Sequence, residues 1–193
     1  MLKKLVQPGF TLIELAVGLA IVSILLMLGM PTLNSVLDGS RLKSAASGFS
    51  AGIQLARAQA ISRNESVSFL PAIAGGALTA GWTVWNTGGS QAIESKSAEE
   101  SSGQMIQVTS FDSTRAAVDV QSITFNGLGA ATFRDSAGAV VVVNPAVFAF
   151  TSNSGACFSS GGSIRCLDVR VTSAGQIRLC DPAVTSASDT RLC

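Results

Sequence analysis

The chain has 193 residues, 47% of them hydrophobic, with thirteen basic side chains against twelve acidic ones; so even a balance argues against a strongly basic nucleic-acid binder. Histidine is absent, which removes imidazole general-base chemistry and the commonest zinc-ligand sets. Neither a Gly-rich phosphate loop nor a catalytic pair of acids is visible, so the expectation is a non-enzyme without a cofactor.

The N-terminus opens with Lys3 and Lys4, then Gly9-Phe10-Thr11-Leu12-Ile13-Glu14, then an apolar run to Met30 broken only by Glu14. A secretory signal peptide places its apolar core before the cleavage site and loses it on processing. Here the core follows the candidate site. This arrangement resembles the type IV pilin class of prepilins, which includes the pseudopilins of type II secretion. The resemblance implies that a prepilin peptidase removes residues 1–9 by cutting after Gly9 and methylates the new terminal amine of Phe10. Without Lys3 and Lys4, eleven basic side chains face twelve acids, so the mature chain is close to neutral.

Residues 10–30 supply the roughly twenty needed to cross about 30 Å of hydrocarbon, so one span is expected. Lys3 and Lys4 precede it and no basic residue follows until Arg41. The positive-inside bias therefore puts the N-terminus in the cytoplasm and the bulk of the chain outside. An ionisable group in a membrane helix costs about 2.5 to 3.5 kcal/mol on insertion scales and calls for a partner, yet no basic residue lies on the turns after Glu14. The pilin resemblance supplies one, the methylated Phe10 amine of a neighbouring subunit; snorkelling of Glu14 to the headgroups is the alternative. Pro31 lacks the N–H of a helical hydrogen bond. In pilins a proline at the matching position accompanies local melting of the stalk on packing, whereas a plain helix end is the other reading.

From residue 31 to 64, Leu33, Val36, Leu37, Leu42, Ala45, Ala46, Phe49, Ile53, Ala56 and Ala60 recur at three- and four-residue steps, the mark of one apolar helical face. The spacing predicts a single helix of about fifty residues, half membrane-spanning and half amphipathic, ending near Arg63-Asn64. Residues 65–193 are rich in Gly, Ser and Thr, with strand-like runs after Val67 and at Trp82–Trp85, Met105–Thr109, Val118–Phe125, Ala139–Val143, Val147–Thr151, Leu167–Thr172 and Gln176–Leu179. Short strands so regularly punctuated predict an antiparallel sheet covered by the amphipathic helix. Gly88–Gly103 has almost no apolar anchors and reads as a mobile loop.

Cys157, Cys166, Cys180 and Cys193 all lie in the last quarter of a chain expected to face an oxidising compartment. Two disulfides are expected; three connectivities exist, and proximity favours Cys157 with Cys166 and Cys180 with Cys193. A metal site is disfavoured because no C-x-x-C pair is present.

Within the pilin class, Arg41-Leu42-Lys43-Ser44-Ala45-Ala46 through Leu55-Ala56-Arg57-Ala58-Gln59-Ala60-Ile61-Ser62-Arg63-Asn64 resembles the helix of the FimT/GspH family of minor pilins and pseudopilins. Gly81-Trp82-Thr83-Val84-Trp85 is similar to the family's G-W-x-V strand, Ile123-Thr124-Phe125-Asn126-Gly127 to its middle strand and turn, and Gly175-Gln176-Ile177-Arg178-Leu179-Cys180 to its C-terminal G-R-x-R-x-C. The resemblance implies an α+β type IV pilin fold, a long N-terminal helix on a β-sheet head with a disulfide-stapled C-terminus.

It also implies one of three roles. The leading expectation is a FimU-like minor type IV pilin of the inner membrane, later extracellular in the pilus tip, that helps initiate assembly. Phe10, Glu14 and Pro31 would serve assembly, with the prepilin peptidase, other minor pilins, the major pilin and inner-membrane lipid as partners. The second is a FimT-like DNA-binding pilin for natural transformation, and the third a pseudopilin of type II secretion whose head touches exported enzymes. Arg165, Arg170, Arg178 and Arg191 are the candidate DNA contacts, suited to phosphates by charge-assisted hydrogen bonds. Gln176 stands where the family pattern has its first arginine, and Asp168, Asp181 and Asp189 nearly cancel the local charge.

Overall fold

A computed structural model of the chain describes residues 10–88, 92–98 and 106–193, with backbone alone for 26–35. The expected leader 1–9, including Lys3, Lys4 and Gly9, lies outside the described residues. One helix, α1 (Leu12–Arg63, 52 residues), precedes ten strands: β1 (Val67–Ala74), β2 (Ala77–Asn86), β3 (Ala92–Lys96), β4 (Ile106–Phe111), β5 (Ser122–Phe125), β6 (Ala131–Arg134), β7 (Val140–Val141), β8 (Ala146–Ser152), β9 (Leu167–Val171) and β10 (Ile177–Cys180).

Helix α1 is roughly 80 Å long at 1.5 Å per residue. It runs unbroken through Pro31, so Pro31 does not end it in the lone subunit. The end comes at Asn64, whose φ of 52° is left-handed. There its N–H and that of Glu65 reach back to the last turn, satisfying carbonyls that a helix end otherwise leaves open.

The second half of α1 supplies the core. Leu42, Ala45, Ala46, Phe49, Ile53, Ala56 and Ala60 are all fully buried, on a single face at three- and four-residue spacing. The alanines let the helix lie close to the sheet, and Gly52 takes this to its limit. A β-carbon there would stand 2.7 Å from the Trp82 ring and 2.9 Å from Phe69. Phe49 sits at the centre of an aromatic cluster, its ring centroid 4.8 Å from Phe69, 5.2 Å from Phe150 and 5.4 Å from Phe148. Burying one such ring is worth about 1.5 to 3 kcal/mol.

The sheet is antiparallel at every described pairing, in the order β10-β9-β8-β4-β2-β1-β5-β6-β7, with β3 also on β2. Its strands alternate between the helix-covered face and solvent where the sequence alternates, as in β4 and β6.

Two expectations about the head are corrected. Gly88–Gly103 contains a strand, β3, paired with β2 from Trp82↔Lys96 to Trp85↔Ala92; its backbone ladder replaces the missing apolar anchors, while residues 89–91 and 99–105 lie outside the described residues. The run expected at Val118–Phe125 is a strand only from Ser122, because Val118 bonds back to the Ser110 carbonyl across a tight connection after β4.

Candidate assembly and binding sites

At the start of α1, Thr11 is the N-cap. Its Oγ1 accepts from the Glu14 N–H at 3.3 Å, while Glu14 Oε2 accepts from the Thr11 N–H at 3.2 Å and its hydroxyl at 3.1 Å. This reciprocal capping box satisfies two helix-end donors. The Thr-x-x-Glu spacing of Thr11 and Glu14 is the sequence signal of this box. Among the described residues Glu14 has no ion-pair partner. Phe10, Glu14, Leu15, Gly18 and Leu19 line a shallow hollow on the helix, and Phe10 is 90% exposed.

Residues distant in sequence converge below the sheet. Arg57 Nε donates to the Gly129 carbonyl at 3.2 Å. Gly175, at φ 78°, packs so tightly on that carbonyl that a β-carbon would stand 2.0 Å from it. A β-carbon on Gly127 would stand 2.3 Å from Asn64 Oδ1. The helix end, the middle turn and the C-terminal turn therefore meet at one place.

Cysteines 157 and 166 form one disulfide, with Cα atoms 5.4 Å apart, and Cys180 and Cys193 another, at 5.1 Å. The second ties the end of β10 to the last residue, and Asp181 pairs with Leu192 beside it. Asp168, almost fully buried, takes the Arg115 guanidinium. Burial pushes the Asp168 carboxyl up despite the opposing pull of Arg115 and Arg170. The Cys180 and Cys193 sulfurs lie near Asp168, but a disulfide offers no thiolate ligand.

The four candidate DNA arginines do not form one free patch. Arg165 is tied to Asp181 and Arg191 to Asp189. Arg170 donates to the Cys193 carbonyl at 2.8 Å. Arg178 alone among them is exposed on β10 without a partner among the described residues, opposite Arg170 in register. Thr114 and Ser136 hydroxyls bonded to Asp112 and Asp119 hold those carboxyls below the usual range. The Arg191 guanidinium holds Asp189 lower still, at about 2.

Among the described residues no helix is long and apolar enough to cross a membrane. Side chains 26–35, where the expected span ends, lie outside that description.

Comparison with known proteins brings these features together. Residues 5–30 match the prokaryotic N-terminal methylation motif, and residues 45–193 match the family of the type II transport protein GspH. Among curated proteins none matches. The fold is similar to a crystal structure of the type IV minor pilin FimU from Pseudomonas aeruginosa strain PAO1, at 19% identity and a TM-score of 0.50 over 77% of this chain and 94% of that one. A second crystal form of FimU gives 0.47 at the same identity, over 76% and 98%. With a long helix on an antiparallel sheet and two disulfides near the C-terminus, this is the type IV pilin fold. The GspH model takes in most of the chain, so the chain belongs to the GspH family of structural minor pilins and pseudopilins.

Proposed function

We propose that the chain is a minor type IV pilin incorporated at the pilus tip, where it helps initiate assembly with other minor pilins and the major pilin. A prepilin peptidase removes residues 1–9 after Gly9 and methylates Phe10. Residues 10–30 then cross the inner membrane once, 31–64 form the amphipathic half of the stalk, and 65–193 form the periplasmic head. The observation that carries this reading is the uncovered start of α1, as far as Leu25. Leu12, Ile13, Leu15, Leu19, Ile24 and Leu25 are each at least 60% exposed in the lone subunit, and Glu14 stands among them with no ion-pair partner among the described residues. Such a surface needs lipid first and neighbouring stalks afterwards. The C-terminal disulfides support the pilus side of the family over the secretion side. Counting surface pili by electron microscopy with and without the gene tests this: sharp loss of pili supports it, and normal pili overturn it.

Two other readings each rest on one observation. Arg178, exposed on an edge strand, favours DNA uptake, with a salt-sensitive affinity that Arg178→Ala lowers. The match to the family of the type II transport protein GspH favours secretion, tested by export of secreted enzymes in the same strain.

A further inference from the structure

We infer that a groove between the middle of α1 and the C-terminal disulfide is a clasp for the apolar, uncharged stalk helix of a neighbouring pilin-type subunit. The inference rests on the filament reading above. The groove has a volume of about 870 Å³. Its floor is Val36, Gly39, Ser40 and Lys43 of α1, and Phe158 and Leu179 of the head wall it.

Helix geometry aims a neighbour into this groove. At 3.6 residues per turn, positions 18 residues apart share one line along a helix, so Val36, Ser40 and Lys43 continue the line of Gly18, Val22 and Leu25. Val22 and Leu25 are exposed, and α1 is unbroken between the two stretches. A second stalk laid along the first therefore runs into the groove. At Gly39 a β-carbon would meet nothing within 4 Å, so a helix backbone can come close there. Lys43 stands about 20 Å of helix past Met30, beyond the bilayer, and an apolar helix reaches that level only on extraction into a filament.

The lining fits an uncharged helix. Arg165 is bound to Asp181 and Arg191 to Asp189, so those cations are already answered within the chain. Lys43 closes the far end, where its ammonium can stay in water while its stem covers apolar surface. Phe158 is 57% exposed and Val36 68%, a patch a soluble surface seldom leaves open. Phe158 is also held out stiffly. It starts a short turn inside the Cys157–Cys166 loop, where its N–H donates to the Ile164 carbonyl at 2.8 Å. An aromatic ring fixed before contact loses little freedom on binding, which suits an interface anchor. Leu15 to Met30 of this chain carry no charge, the kind of segment the groove takes from a neighbour.

The test places a photo-crosslinker at position 158 of the full chain and, in a second strain, at position 22. Peptide mass spectrometry then maps what each labels in sheared filaments. Position 158 is expected to label the N-terminal stalk peptide of another pilin. Phe158→Ser is expected to lower the chain's share of sheared filaments about tenfold, with its membrane level and melting temperature unchanged. If position 22 labels a pilin stalk while position 158 labels only a head peptide, a lipid or nothing, the clasp is overturned and filament entry stands. Parent-level entry of Phe158→Ser overturns the clasp in the same way. If neither position labels a pilin, the clasp and the filament reading fall together.

Discussion

Arg57, on the helix, donates its Nε hydrogen to the carbonyl of Gly129, 72 residues later in the chain, at 3.2 Å. Gly175 closes on that same carbonyl with a left-handed φ of 78° that L side chains rarely adopt. Gly175→Ala is therefore expected to destabilise the head by at least about 2 kcal/mol, from backbone strain and the clash combined. Arg57→Ala, which removes one half-buried bond, is expected to cost about 1 kcal/mol. Urea midpoints of the two variants check the order; a Gly175→Ala midpoint equal to the parent's would contradict the packing described.

Gly52 faces the Trp82 ring at a distance no β-carbon tolerates. In an open helix, Gly→Ala stabilises by up to about 1 kcal/mol. Here overpacking against two rigid rings costs about 1 to 3 kcal/mol, so Gly52→Ala is expected to lower the melting temperature. A rise would show that the helix can shift off the sheet.

Glu14 carries two tasks that substitutions can separate. A glutamine at the same place keeps the reciprocal cap to Thr11 but not the charge; alanine loses both. Glu14→Gln is expected to start the helix normally and still enter sheared filaments poorly, whereas Glu14→Ala also loses the return bonds from Thr11 while the backbone bond to Thr11 Oγ1 remains. Normal filament entry of Glu14→Gln would leave capping as the whole role of the acid.

Acid stability has two opposing parts. Asp112, Asp119 and Asp189 have folded pKa values below the ordinary carboxylate range, Asp189 at about 2. Their stabilisation is complete above the unfolded value near 3.8 and is lost as pH falls through the folded one. Asp168 is raised by burial, so acidification relieves a penalty before that loss begins. Stability is expected to rise slightly toward pH ~4 and then fall. Asp189→Asn should flatten the falling limb and Asp168→Asn the rising one, read by urea midpoints across pH.

Opening the Cys180–Cys193 disulfide with a Cys180→Ser, Cys193→Ser pair is expected to cost about 2 to 3 kcal/mol. It should also speed hydrogen exchange at Asp181 and Leu192, whose pairing lies beside the bond. Unchanged exchange there would mean that Arg170 and the Asp181 bridge hold the tail without the covalent link.

The helix and its end were legible because burial of one face imposes a three- and four-residue rhythm, and Asn64 breaks it. Strand β3 was not: Ala92-Ile93-Glu94-Ser95-Lys96 lies on β2 with most of its side chains in solvent, so backbone pairing forms it and leaves no apolar pattern. Strand β6 alternates, but over only four residues. The charges misled in another way. Arg115 and Asp168 are 53 residues apart in the chain. Nothing local marks such a pair, nor separates Arg178 from the arginines the fold ties down.

The rod that projects from the head is the same helix whose Phe49 fills the centre of the core, continuous from Leu12 to Arg63. A pull on the N-terminal end travels along α1 into the Phe49 cluster with no slack linker to take it up. The head thus bears tension as shear between one helix and the sheet beneath it, and its mechanical limit is set by that face rather than by the strand ladder.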